Sequence, residues 1–432
     1  MSPILRLAFP AIISNVTVPL LGLVDMAIVG HMGDVAYIGA IAIGSMIFNS
    51  LYWMFGFLRM GTSGITAQEL GKNGDTERIF RQTAVVALLL SVVIVLLCWP
   101  ICKLSLWLMA PEEAVVPHVL TYFYICIIGA PAVLLQYSLT GWFIGMQDTR
   151  RPMVIAISQN ICNIALSMLL VYGFHLKVEG VALGTMLSQW FAVALGLYLR
   201  PHPNPPHKGG LKDISSAKIE PLFREGELKR FFTINRDIFL RTLCMLAVMF
   251  FFTSAGSRHG TDILAVNTLL MQTWLVFSYF MDGFAYAGEA LCGKYYGASD
   301  RRMLLQTVRH LFAWGVALAI VFTLLYAFFT DDFLSLLTNE EEIVALAHEY
   351  RFWMIILPLI GFSAFLWDGI FIGMTNSRGM LISCATAALV FVLVYNLCPG
   401  IVTLWNDGLW TAFALFLFTR GAMQFWLFRI GR

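Results

Sequence analysis

The sequence predicts an all-α polytopic membrane protein with twelve transmembrane helices in two six-helix lobes. Three observations support this fold class. Hydrophobic residues make up 59% of the chain and charged residues 12%, against about 25% charged residues in an average soluble protein. Twelve apolar segments reach the roughly 20 residues that a membrane-spanning helix needs. The chain also repeats itself, because Phe143-Ile144-Gly145-Met146 returns as Phe371-Ile372-Gly373-Met374.

The twelve apolar segments divide into two sets of six along the chain. They comprise residues 4–30, 38–67, 83–108, 119–145, 153–174 and 180–199, then 231–257, 263–293, 304–329, 343–373, 380–398 and 404–427. Between the two sets, residues 202–210 read HPNPPHKGG, a composition typical of a linker. We therefore predict an N-terminal lobe at 1–200, a cytoplasmic linker at 201–230 and a C-terminal lobe at 231–432.

The repeat extends outward from its best-matched segment and predicts how the lobes are related. Glu112-Glu113 returns as Glu340-Glu341, and Tyr122 returns as Tyr350. Six helices separate each residue from its counterpart, and an even number preserves orientation in the membrane. The lobes are therefore expected to be related by pseudo-two-fold symmetry along the membrane normal, an arrangement typical of transporters with parallel repeats.

The loops between the apolar segments differ in their basic residues. One family of loops carries Arg78, Arg150, Arg301 and Arg378, whereas the alternate loops carry few Lys or Arg residues. The positive-inside rule places the basic loops and both termini in the cytoplasm. The net charge of +2 is thus explained by topology, and no nucleic-acid partner is expected beside the lipid bilayer.

The sequence contains no recognisable catalytic or metal-binding motif. Eight cysteines are scattered through apolar segments, and the close pair Cys98 and Cys102 has no histidine nearby, which favours packing over metal binding. No zinc spacing, phosphate-binding glycine loop or nucleophile elbow is present. We therefore expect neither enzymatic activity nor a cofactor or metal. A membrane-embedded transferase or a receptor would need His/Asp motifs or an extramembrane domain.

Asp25 is the leading candidate for a functional residue in the N-terminal lobe. It lies in the first apolar segment, in the predicted outer half of the membrane, with no basic residue within helical reach. An ionisable group at membrane depth is costly and therefore indicates function, although a solvated carboxylate at a helix end is the alternative. Pro10, Pro19 and Gly22 interrupt the same helix and give it places to bend.

The fifth and sixth helices each carry a polar face that would suit a cavity wall. Residues 160, 163 and 167 share one face of the fifth helix through their i, i+3, i+7 spacing. Polar faces also join neighbouring helices, so a structural role is the alternative. The candidate cavity residues are Asn160, Asn163, Ser167 and Thr185, with Ser188 and Gln189 beside Thr185.

A second set of charged residues falls in the predicted cytoplasmic half of the membrane. Acids at this depth need partners, and the set contains two arginines that would neutralise some of them. We interpret it as a salt-bridge network closing the inner side, and a second ion site is the alternative. The members are Arg59, Asp237, Arg241, Asp282 and Asp368.

Several motifs in order resemble the DinF branch of the multidrug and toxic compound extrusion (MATE) family, over essentially the whole chain. They are residues 14–25 (SNVTVPLLGLVD), 57–60 (FLRM), 235–238 (NRDI), 282–287 (DGFAYA) and 368–373 (DGIFIG). The resemblance implies an antiporter of the bacterial inner membrane, expected to be a monomer, that exports cationic or amphipathic organic compounds in exchange for protons or sodium ions.

The resemblance also implies roles for individual residues. Asp25 matches the proposed coupling acid, Asn163 and Thr185 match cavity residues, and Pro10 matches a bending proline of the first helix. A fifth-helix acid of relatives is Ser167 here, and a cavity with one carboxylate fewer favours protons over sodium. A sodium-coupled exporter of the same fold is one alternative. A lipid-linked-precursor flippase of the same superfamily is another, although several basic cavity residues would then be expected.

Overall fold

The computed structural model describes residues 2–30, 35–201, 226–338, 340–397 and 405–430, without the side chains of residues 18–27, 29, 30, 35 and 405. These residues form helices and contain no β-strand, so the predicted all-α polytopic fold is confirmed. Eleven helical segments among them are long and apolar enough to cross a membrane. Helix α1, Pro3–Gly30, is also long enough at 28 residues.

Seventeen α-helices follow one another within the described residues. The first half of the chain contains α1, then α2 (Val35–Met54), α3 (Phe57–Gly71), α4 (Thr76–Leu96), α5 (Cys98–Met109), α6 (Val116–Cys126), α7 (Ala130–Gly145), α8 (Arg150–Met168) and α9 (Val178–Leu199). The second half contains α10 (Glu227–Ser257), α11 (Thr261–Gly297), α12 (Arg301–Phe328), α13 (Thr330–Leu337), α14 (Glu341–Glu349), α15 (Arg351–Gly373), α16 (Ser377–Leu397) and α17 (Trp405–Ile430).

Three spans of the first half are built from more than one helical piece. A break at residues 55–56 separates α2 from α3, and the 3-10 turn Ile127–Gly129 joins α6 to α7. Helix α8 continues directly into the π-helix Leu169–Gly173. A π-helical turn widens the backbone locally and is frequently found at functional sites.

The repeated sequence forms the same helix–turn–helix geometry in both halves of the chain. The residue after each repeated Phe-Ile-Gly-Met segment has a left-handed backbone, with φ of 61° at Gln147 and 52° at Thr375. The next residue then caps a helix start. Asp148 Oδ1 accepts from the backbone N–H of Arg150 at 3.1 Å, and Asn376 Oδ1 accepts from that of Gly379 at 3.0 Å. These side chains satisfy N–H groups that a helix start leaves without partners.

The repeated glycines explain why this segment is shared by the two halves. A Cβ on Gly141 would lie 2.4 Å from the carbonyl oxygen of Arg59 on α3. Its counterpart Gly369 approaches α11 in the same way, because a Cβ there would lie 2.2 Å from the carbonyl oxygen of Ala285. Gly145 and Gly373, one turn later, are equally close to the facing backbones. Each half thus has a close helix crossing of the small-xxx-small type. Such crossings stabilise helix packing inside the membrane, where the hydrophobic effect does not drive helices together.

The chain divides into two compact units, one of Thr17–Thr233 and one of Met1–Val16 with Ile234–Arg432. We call them the N-terminal and C-terminal units. Helices α1 and α10 therefore each contribute to both. The start of α10 is bound within the N-terminal unit, where Glu227 accepts from Arg78 and from Gln82. The predicted lobe limits at residues 200 and 231 stay a prediction, and linker residues 202–225 lie outside the described part of the chain.

The close crossing of α11 and α15 predicts that one added methyl group destabilises the protein by an amount that depends on its position. We expect Gly369→Ala to destabilise the protein by about 1–3 kcal/mol, because the new Cβ would collide with backbone that has no alternative rotamer. Gly288→Ala, on α11, is the matched control, since its Cβ would meet its nearest neighbours at 3.5 Å. Thermal unfolding midpoints of the purified variants in detergent measure the difference. Equal midpoints would contradict the assigned crossing.

Candidate functional site

A partly buried hydrogen bond joins two of the predicted cavity residues in the N-terminal unit. Asn163 Nδ2 on α8 donates to Thr185 Oγ1 on α9 at 3.1 Å. Beside it, Ser188 Oγ donates to the carbonyl oxygen of Thr185 at 2.8 Å. Asn163 Oδ1 is buried and receives no hydrogen bond from any described residue. An amide oxygen left in this state is available to a proton donor or a cation.

Ser167 lies at a close approach between α8 and α9. A Cβ on Gly184 would lie 2.4 Å from Ser167 Oγ and 2.9 Å from its backbone nitrogen. Ser167 is fully buried, and its hydroxyl has no hydrogen-bond partner among the described residues. A small side chain is therefore accommodated at this crossing, next to Asn163 one turn earlier. The crossing gives a packing reason for serine here that the sequence alone did not provide.

Two contacts hold α8 and its π-helix against the part of α1 that carries Asp25. Asn160 Nδ2 donates to the carbonyl oxygen of Thr17 at 3.0 Å, and Tyr172 Oη donates to that of Ile28 at 3.2 Å. Asp25 precedes Ile28 by three residues, or about 4.5 Å along a helix. Its backbone is helical, but its side chain lies outside the described residues. Along α1, Asp25 thus lies between the two contacts. Along α8 and its π-helix, Asn163 and Ser167 lie between them.

The predicted bending positions all fall within α1, which is helical from Pro3 to Gly30. Pro10 is buried in the first part of this helix. The proline ring removes a backbone donor from the helix interior. Pro19 and Gly22 have helical backbones, and nothing further is described for them. Their role in bending remains a prediction.

The C-terminal unit contains a buried cluster of charged and polar side chains around Asp368 on α15. Arg241 on α10 and Arg420 on α17 both donate to Asp368 Oδ2, the latter at 2.9 Å. Gln424 Nε2 donates to Asp368 Oδ1 at 2.7 Å. All four side chains belong to residues that are more than nine-tenths buried. Charge-assisted hydrogen bonds of this kind are stronger than neutral ones and fix the carboxylate in position.

The other members of the predicted inner network have different surroundings. Asp237 accepts from Arg236 Nη2 at 2.9 Å and from Ser377 Oγ at 3.0 Å, so its ion-pair partner is the adjacent arginine. Asp282 is half-buried on α11. Arg59 lies on α3. Within the C-terminal unit, Arg241 pairs with Asp368, and the role of the five predicted residues stays a prediction.

Sequence reasoning missed Arg420 and Gln424. They lie one helical turn apart on α17, so both reach the same carboxylate. The available signal was an arginine that follows the apolar run of residues 412–418. The acid of the same helix, Asp407, lies more than three turns from Arg420, so this intramembrane arginine requires a partner on another helix. Among the residues whose side chains are described, no three His, Cys, Asp or Glu side chains form a group that would hold a metal ion.

The geometry around Asp368 predicts an order of stability among single variants. Asp368→Ala would strand two buried guanidinium groups, so we expect a loss of about 3–5 kcal/mol. Arg241→Ala should cost about 1–3 kcal/mol, since it loses a charged hydrogen bond while Arg420 still neutralises Asp368. Arg309→Ala, at an exposed position on α12, is the control. Thermal midpoints and expression levels test this order, and a midpoint for Asp368→Ala equal to that of the control would refute the cluster.

Comparisons with known proteins agree with the repeat and with the fold. The MatE family model matches residues 10–169 and again residues 238–398. The chain is 38% identical over 418 residues to DNA damage-inducible protein F of Escherichia coli strain K12, covering 96% of this chain and 89% of that protein. It is 22% identical to a probable multidrug resistance protein NorM of Photorhabdus laumondii, covering 99% of this chain and 95% of that protein.

Solved structures share the fold at low sequence identity. A crystal structure of MATE in the bent conformation matches with a TM-score of 0.86 at 20% identity, covering 99% of this chain and 94% of that one. An outward-facing multidrug resistance MATE transporter matches with a TM-score of 0.84. With the family model covering most of the sequence and a relative of 38% identity along nearly its whole length, this chain belongs to the MATE family of multidrug efflux transporters.

Proposed function

We propose that this protein is a secondary active antiporter that exports cationic or amphipathic organic compounds in exchange for protons. Asp25 is the coupling carboxylate, and Asn160, Asn163, Ser167 and Thr185 are polar walls of its cavity. The observation that carries the proposal is the pair of contacts, Asn160 to Thr17 and Tyr172 to Ile28. They hold the polar helix α8 beside the segment of α1 that contains Asp25.

The mechanism requires one titratable group and a helix that bends. A carboxyl group in apolar surroundings binds a proton more readily than one in water. When Asp25 is ionised, it attracts a cationic compound, and when it is protonated from the external side this attraction ends. Pro10, Pro19 and Gly22 provide places where α1 bends as hydrogen bonding around Asp25 changes. Alternating access then exposes the site, neutralised by the proton or by the cationic compound, to the two sides of the membrane in turn.

Two features of the described residues support protons over sodium. Sodium at membrane depth needs several oxygen ligands and benefits from more than one carboxylate. The family resemblance matches Ser167 to an acid of relatives, and the close approach of Gly184 favours a small residue there. In the C-terminal unit, Asp368 already accepts from three side chains. Its oxygen atoms are therefore occupied, which disfavours a cation site on that carboxylate.

The substrate class and the location rest on relatives and on charge patterning. The Photorhabdus laumondii relative is named a probable multidrug resistance protein, and the 34 Phe and 20 Met residues suit varied apolar compounds through adaptable packing. We place the protein in the bacterial inner membrane as a monomer. Both termini are proposed to be cytoplasmic because the basic loops follow the positive-inside rule.

We expect Asp25→Asn to abolish gradient-driven efflux of an organic cation from proteoliposomes, down to the rate of protein-free liposomes. The variant should fold normally, because the sequence offers Asp25 no basic residue within helical reach, so its neutralisation should not strand an opposite charge. Glu112→Gln, in an exposed loop, is the matched control and should transport at the wild-type rate. Wild-type efflux by a well-folded Asp25→Asn protein would remove Asp25 from the mechanism.

The coupling ion is tested by imposing one gradient at a time. We expect a pH gradient in sodium-free buffer to drive transport, and a sodium gradient at equal pH to give none, because one carboxylate is enough for a proton but leaves sodium short of ligands. Transport driven by sodium alone would reject proton coupling. Such a result would favour the sodium-coupled alternative, and the proposal that the protein exports organic compounds would still stand.

A further inference from the structure

The cluster around Asp368 carries more positive than negative charge. Arg241 and Arg420 both contact the single carboxylate of Asp368, which leaves a formal charge of +1. Among the described residues, no second carboxylate contacts either guanidinium, since Asp237 is paired with Arg236. Both arginines donate to the same oxygen atom, so the two positive groups lie side by side. At membrane depth such a surplus requires a counter-charge.

Hydrogen-bond donors in the cluster are also left over. The Nε atoms of Arg241 and Arg420 are both buried and have no acceptor among the described residues. A guanidinium carries five N–H donors in a planar fork, and Asp368 engages Nη2 of each arginine. A buried donor without an acceptor is destabilising. The two adjacent cations thus have two buried N–H groups that a further acceptor would satisfy.

The surroundings of Arg420 restrict how that acceptor approaches. The central guanidinium carbon lies 5.9 Å from the ring centres of both Phe365 and Phe416. Arginine stacks against aromatic rings through the face of its guanidinium group. A further acceptor is therefore expected in the guanidinium plane, at the Nε edge, where an anion receives linear hydrogen bonds. Neutral Gln424 completes the cluster and adds no negative charge.

We propose that Arg241 and Arg420 bind one monovalent anionic group, either a small inorganic anion or the carboxylate of a bound organic compound. Occupation makes the cluster neutral and satisfies the buried Nε donors. The proposal goes beyond proton-coupled export. It concerns equilibrium binding in the C-terminal unit, so its failure and the failure of coupling at Asp25 are observed in separate experiments.

The first arm of the test measures thermal midpoints of the purified protein in chloride, nitrate or formate, against the bulky sulfonate HEPES at the same pH, sodium concentration and ionic strength. We expect a saturable rise in the midpoint with the small anions, because a ligand that binds only the folded state stabilises it by mass action. Arg420→Gln leaves the neutral pair of Arg241 and Asp368, and should lose the rise. Arg309→Gln, which changes an exposed arginine, should retain it.

The second arm distinguishes the source of the anion. An amphipathic fluorescent carboxylate and its methyl ester are titrated into wild-type protein in HEPES. The site is assigned to an organic carboxylate if the acid binds, the ester does not bind, and the inorganic anions do not change the thermal midpoint. Arg420→Lys keeps the charge but lacks the Nε donor, and should weaken binding of the effective anion at least tenfold. Equal midpoints in all anions together with no probe binding, or a response undiminished in Arg420→Gln, would overturn the proposal.

Discussion

The hydrocarbon core of a membrane does not solvate charge, and this constraint organises the whole molecule. It requires backbone groups to be paired within helices, and the described chain is helical throughout its spans. It also requires ionised side chains at depth to find partners. Asp368 illustrates the consequence, because three donors from two helices, α10 and α17, converge on it. The charge on this carboxylate is a structural element, whereas Asp25 is proposed to change its charge during transport.

The internal repeat was visible in the sequence, but its physical meaning required the structure. Matching segments at residues 143–146 and 371–374 predicted a duplication. The sequence did not reveal that Gly141 and Gly369 allow backbone contact with α3 and α11, since the facing residues are far away in sequence. The left-handed residues Gln147 and Thr375 were equally hidden, because neither is glycine. Each of them lies between the end of one helix and the start of the next, and the turn there requires the left-handed conformation.

The candidate site was predictable to the extent that helical periodicity determines it. The spacing of residues 160, 163 and 167 predicted a shared face, and Asn163 does contact a polar residue of α9. Periodicity within one helix does not report which residues of a neighbouring helix are close. The family resemblance indicates that Ser167 stands in place of an acid, whereas periodicity does not predict its contact with Gly184. Arg420 was overlooked for the same reason, as its partner lies on another helix.

The central claim is that one carboxylate, Asp25, binds either a proton or a cationic compound. The most direct measurement adds an organic cation to purified protein in weakly buffered detergent and follows pH with an indicator dye. We expect release of at most about one proton per chain from a single titrating group, no release from Asp25→Asn, and normal release from Glu112→Gln. Proton release from Asp25→Asn equal to that of the wild type would contradict the central claim.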